Sequence, residues 1–197
     1  MTKIKRTDPE ISRRKFITGA LITTGAVSGV GMLSVLGTLR PANRITPDKE
    51  PPAEGDILVY AEGDKAGQPV KVSDLDESPT RVYPKAGDVV KNGDPNNLLL
   101  LMRFPQGELK EPTELDATVQ GTVVAYSAIC THLGCQVNYK DSDGTLLCPC
   151  HSGNYDPKEG CKVIGGPPPR PLPQLPIKLE GDQIIASGEF LGEPYTG

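Results

Sequence analysis

The chain has no tryptophan, only three phenylalanines and six tyrosines, and just two histidines. Outside residues 16–39 no long segment carries the apolar period of a helix, which excludes a helical bundle. No internal repeat is present, which excludes a repeat array. Positive charge is scarce in the body. Residues 41–197 hold fourteen Lys/Arg against twenty-three Asp/Glu, whereas residues 1–40 hold seven against two. An acidic body argues against nucleic acid, whose phosphates need a basic face. It suits a basic soluble partner. Glycine and proline are plentiful, 22 and 20 of 197 residues, and point to a turn-rich fold that is mostly β.

The missing charge between Phe16 and Leu39 is informative in another way. Lys3, Lys5, Arg6, Arg13, Arg14 and Lys15 precede this uncharged stretch. As a helix it spans about 36 Å at ~1.5 Å per residue, enough for a ~30 Å hydrocarbon core. The expectation is a basic cytoplasmic tail over 1–15 and a single transmembrane helix over 16–39. The body then lies on the extracytoplasmic face of the cell membrane. Ser12-Arg13-Arg14-Lys15-Phe16-Ile17 has the form of a twin-arginine export signal, the route for proteins folded around a cofactor. No A-x-A-like cleavage site lies near Arg40-Pro41-Ala42-Asn43, which favours a retained anchor. Residues 40–55 contain four prolines and no apolar period, and read as a hinge linker.

The body, 56–197, shows short β-prone runs between turns. The candidate strands are Ile57–Tyr60, Val70–Val72, Leu98–Phe104, Thr122–Ile129, Gln136–Tyr139, Thr145–Leu147, Leu175–Leu179 and Gln183–Ala186. The expected fold is a small antiparallel β domain.

Both histidines fall beside four of the five cysteines. Cys130-Thr131-His132-Leu133-Gly134-Cys135 is followed by Cys148-Pro149-Cys150-His151. Cys130, His132, Cys148 and His151 form a Cys2His2 set with one Cys–His pair on each loop. Such a set suits a [2Fe–2S] centre with two thiolates on one iron and two imidazoles on the other. With neutral imidazoles the oxidised site is uncharged, whereas a four-cysteine site carries two negative charges, so an electron enters more easily. A structural zinc site is the competing reading. It leaves unexplained the tight Cys-x-His spacing and the spare pair Cys135 and Cys150, which an oxidising compartment would join as a disulfide. Cys161 is then an odd thiol that reads as a small buried residue.

These boxes resemble the two cluster-binding boxes of the Rieske iron–sulfur subunit of cytochrome bc complexes. Gly165-Gly166-Pro167-Pro168-Pro169-Arg170 resembles that family's cluster-covering proline loop. The resemblance implies an antiparallel β-sandwich head with a small cluster-binding subdomain, about 129–172, behind a membrane anchor. It implies a Rieske [2Fe–2S] cluster, with Leu133, Gly134, Pro149, Ser152, Gly153 and Tyr155 around it. It also implies a quinol that meets His132 or His151, and partners in a cytochrome b subunit and a c-type cytochrome. The job implied is a subunit of a quinol–cytochrome c reductase that takes one electron and one proton from quinol.

Position 153 departs from the family pattern. High-potential members place a serine there, whose hydroxyl bonds a sulfide, and a tyrosine two residues on. Here Tyr155 is in place, Gly153 replaces the serine, and Ser152 stands one position early. Loss of that bond implies a lower potential and a lower-potential quinol such as menaquinol. Three other readings are weighed. The first is the small Rieske subunit of a molybdenum oxidase such as arsenite oxidase. The second is an oxygenase-type Rieske ferredoxin, which would lack the second cysteine pair. The third is a zinc-binding module without redox work.

Overall fold

The computed structural model describes residues 17, 18, 21, 22 and 45–195. The twin-arginine motif, the tail and almost all of the anchor expected over 16–39 lie outside the described residues. Among the described residues no helix is long and apolar enough to cross a membrane. The chain divides into two units at Arg44/Ile45. The second unit is mostly β, as the composition implies.

Its twelve strands are β1 (Ile57–Tyr60), β2 (Thr80–Ala86), β3 (Val89–Val90), β4 (Leu99–Arg103), β5 (Val123–Ser127), β6 (Asn138–Lys140), β7 (Thr145–Cys148), β8 (Gly153–Asp156), β9 (Lys162–Gly165), β10 (Gln174–Leu175), β11 (Ile177–Glu180) and β12 (Gln183–Ala186). They form two sheets. The larger runs β10-β5-β4-β2-β1-β12-β11 with β3 beside β2, and the smaller runs β6-β7-β8-β9. All pairings are antiparallel.

The run Leu98-Leu99-Leu100-Leu101-Met102 shows how the layers are organised. Leu99 and Leu101 join Leu58, Val82, Ala125 and Ile184 in one core. Leu98, Leu100 and Met102 join Tyr126, Leu146, Tyr155 and Cys130 in another. Successive strand residues face opposite sides, so β4 is a wall with a core on each side. That is why its sequence is continuously apolar instead of alternating. The second core includes side chains of both β7 and β8, so the smaller sheet packs against the β4–β5 face.

Several strand expectations need correction. Val70–Val72 is no strand: a 3-10 turn runs over Val72–Asp74. Leu175–Leu179 is split at Pro176, which separates β10 from β11. β2 carries Pro84 and the charged Arg81 and Lys85, which hides its period. The proline is tolerated because pairing to β4 covers only Thr80 to Val82.

The linker expected over 40–55 is docked from the 3-10 turn Pro47–Lys49 onward. Lys91 Nζ, almost fully buried, binds Asp56 Oδ2 at 2.7 Å and the Pro51 carbonyl at 2.9 Å. The Asn97 side-chain amide donates to the carbonyls of Glu50 (2.8 Å) and Lys91 (3.0 Å). Gly93 N donates to the Asp48 carbonyl at 2.8 Å. Proline-rich composition marks extended chain, but it does not distinguish a free segment from one whose carbonyls are satisfied by a neighbouring surface.

Candidate metal centre

Three connections converge at one end of the smaller sheet. The first box follows β5 and leads into β6. Its stem is closed by Val137 N to Ala128 O (2.9 Å) and Cys130 N to Cys135 O (2.8 Å), and Gly134 N donates to Cys130 O at 3.0 Å. The second box is the turn between β7 and β8, where Cys148 pairs with Gly153. The proline loop joins β9 to β10. Gly166 has φ +82°, and a Cβ there would lie 2.5 Å from the Ser152 carbonyl oxygen. Only glycine lets the loop's backbone lie on the second box.

Cys135 and Cys150 form a disulfide that ties the two boxes together. Closing a loop of this sequence separation contributes about 3 kcal/mol in the chain-entropy model. It also removes both sulfurs from any ligand set, although they lie within 4.8 Å of Cys148 Sγ. Cys130 and Cys148 remain free and buried. Burial pushes the Cys148 thiol up, the Cys150 backbone N–H pulls it down, and Cys130 beside it pushes it up again. Two buried thiols side by side are placed to share a cation.

The rings of His132 and His151 lie edge to face, 4.9 Å apart. His151 is exposed and His132 half-buried. His132 Nδ1 is buried without a hydrogen-bond partner. An unpaired buried nitrogen is costly, and a metal ion is a partner that answers it. The structure thus pairs the two free thiols with each other and the two imidazoles with each other, on boxes tied by the disulfide, a donor set that fits a mixed-ligand cluster.

Tyr155 packs beneath. Its hydroxyl is 3.2 Å from Cys130 Sγ and accepts from Thr131 N at 3.4 Å. Burial, then the nearness of Cys130, pushes its phenol well above the usual range, so it stays a neutral donor. Gly153 is buried, and a Cβ there would lie 2.6 Å from Pro168 Cγ. Pro168 thus occupies the space a side chain at 153 would need. Ser152 has φ +58° and is exposed. Leu133 (57% exposed), Pro149, Pro167 and Pro169 are exposed apolar residues on the same three loops that carry the exposed His151 and its neighbours.

Sequence reasoning missed two contacts. Thr131 Oγ1 donates to the Arg170 carbonyl at 2.7 Å. The Tyr195 ring lies against Gly134, where a Cβ would be 2.5 Å from the ring. A threonine inside the box was a visible signal for the first; nothing in the sequence marks Tyr195.

Comparison with known proteins agrees with this geometry. The model of the Rieske [2Fe-2S] domain family matches residues 80–176. A Haloferax mediterranei protein, provisionally named a respiratory nitrate reductase subunit Rieske, is 44% identical over 50% of this chain and 44% of its own length. The cytochrome bc1 complex Rieske iron-sulfur subunit of Streptomyces coelicolor is 31% identical over 91% of this chain and 52% of its own. The cytochrome b6-f complex iron-sulfur subunit of a Synechococcus strain is 31% identical over 95% of this chain and 91% of its own. The chain thus spans about half the length of the first two.

Proposed function

This chain belongs to the Rieske [2Fe–2S] iron–sulfur family, and from that membership we propose that it is the electron-transfer subunit of a membrane quinol:cytochrome c reductase. Cys130, His132, Cys148 and His151 hold the cluster. When bound, the cluster supplies one-electron acceptance and donation. The observation that carries the proposal is the polarity of the site. The thiols are buried while His151 stands at the surface, on loops that also expose Leu133, Pro149, Pro167 and Pro169.

The chain's own residues then have distinct tasks. Leu133, Pro167 and Pro169 receive the quinol ring and keep water away from it. The exposed His151 accepts the hydrogen bond of the quinol hydroxyl and takes its proton at the ring nitrogen not engaged by metal. Tyr155 donates to the Cys130 sulfur and stabilises negative charge there. With Gly153 in place of a hydroxyl donor, this stabilisation is smaller than in serine-containing relatives, which suits menaquinol as the reductant.

The head lies outside the membrane behind an anchor over 16–39 and passes electrons to a c-type cytochrome, while cytochrome b takes the second electron. Any swing of the head pivots before the Pro47–Lys49 turn, since Asp48, Glu50 and Pro51 are bonded to the domain. The Haloferax relative favours a second reading, a Rieske subunit that serves a nitrate reductase.

Affinity purification of the full chain from its native membranes separates the two. The proposal expects b-type and c-type haem spectra in the eluate and cluster reduction by a menaquinol analogue. A partner that reduces nitrate, with no b-type haem, would replace it with the second reading.

A further inference from the structure

We propose that Arg170 is a positioning residue that clips the proline loop to the first ligand loop by way of residues 191–195. Arg170 is the residue after the three prolines that cover the site, and it is fastened on two sides. Its main-chain carbonyl accepts from Thr131 Oγ1 at 2.7 Å. Its guanidinium donates from Nε to the Glu193 carbonyl and from Nη2 to the Pro194 carbonyl, each at 3.1 Å. The next residue, Tyr195, lays its ring on Gly134, two residues beyond His132. Gly134 has φ +73° and no side chain, which leaves room for that ring.

The strap so formed is held at its ends. At the near end Leu191 N donates to the Gln174 carbonyl at 2.8 Å. Between the ends lies a cavity of about 340 Å³, lined by Pro112, Glu114, Leu172, Leu191 and Glu193 among others. Arg170 is the one basic side chain in that lining. A segment that spans a cavity has few packing contacts to hold it, so its position depends on the guanidinium bonds. Bonds from a charged donor are the strong kind, and the planar fork suits two adjacent carbonyls. The clip thus joins the proline loop to the first box directly through Thr131 and indirectly through the strap. It complements the disulfide, which joins the two boxes to each other.

This assignment is independent of which quinol or cytochrome the chain serves. The test uses the purified full chain with its cluster, in Arg170→Met, Arg170→Lys, Tyr195→Ala and Tyr195→Phe forms. The readouts are iron and sulfide content, the EPR spectrum of the reduced cluster, and the rate of cluster loss to an iron chelator. Arg170→Met is expected to fill with iron and sulfide normally, to shift the EPR g-values, and to lose its cluster about tenfold faster. Tyr195→Ala should match it, and combining the two should add little, because both act through one strap. Arg170→Lys keeps the charge but not the fork and should follow Arg170→Met, whereas Tyr195→Phe keeps the ring and should behave as wild type. Unchanged spectra and loss rates in Arg170→Met would overturn the clip. So would fully additive effects of Arg170→Met and Tyr195→Ala.

Discussion

Replacing Lys91 with methionine is expected to lower the stability of the domain by about 3–5 kcal/mol, the usual cost of breaking a buried ion pair from one side. Methionine keeps most of the volume, so the loss reports charge and hydrogen bonding rather than a cavity. Asp56 would be left with the Ala53 N–H as its remaining donor (2.8 Å), and the Pro51 carbonyl would lose its donor. A second consequence is local. Residues 49–56 should exchange their amide hydrogens faster, because Lys91 and Asn97 hold this segment. Adding Asp56→Asn should recover part of the loss, since the unpaired charge is then gone. Denaturant midpoints and hydrogen exchange on the full chain check both effects. A change within about 0.5 kcal/mol, the range of an ordinary surface substitution, would mean that the segment is held by something else.

Replacing Tyr155 with phenylalanine is expected to lower the midpoint potential of the cluster by roughly 40 mV. The hydroxyl lies 3.2 Å from Cys130 Sγ, and burial keeps it protonated. The bond forms in both redox states, but it strengthens when the site gains an electron and its sulfurs grow more negative. A strengthening of about 1 kcal/mol converts to that figure at 59 mV per tenfold for one electron. The ring stays, so packing in the core it shares with Leu146 and Cys161 is preserved. Redox titration of the purified protein, followed by EPR, measures the shift. No shift, or a rise, would remove Tyr155 from the residues that tune the cluster. A serine at position 153 is not the simple converse, because its Cβ would meet Pro168 at 2.6 Å and the proline loop would have to give way.

The site was more legible than the parts that support it. Cysteine and histidine are scarce, so their clustering stood out, and the disulfide followed from which cysteines were left over. The linker misread has a different origin. Proline and charge in residues 46–55 resemble free chain, and the side chains that dock this segment, Lys91 and Asn97, lie some 40 residues downstream. A lysine is almost never buried without a partner, so no local pattern announces one. β2, the two-residue β3, β8 and β9 were missed for similar reasons. β2 carries a proline and charges. β8 starts with glycine and β9 is partly exposed, so neither has the long apolar alternation of a recognisable strand. The Tyr195 contact had no signal at all, because it depends on how the chain returns to the first box.

The most direct measurement is pulsed EPR on the dithionite-reduced full chain, grown with 15N-labelled histidine, with iron and acid-labile sulfide determined on the same sample. A Rieske centre held by Cys130, His132, Cys148 and His151 predicts a rhombic signal with average g below the free-electron value, coupled to two imidazole nitrogens. Equal amounts of iron and sulfide should accompany it. A signal without nitrogen coupling would point to an all-cysteine cluster. A colourless, EPR-silent protein that holds zinc after iron-replete growth would contradict the electron-transfer function itself.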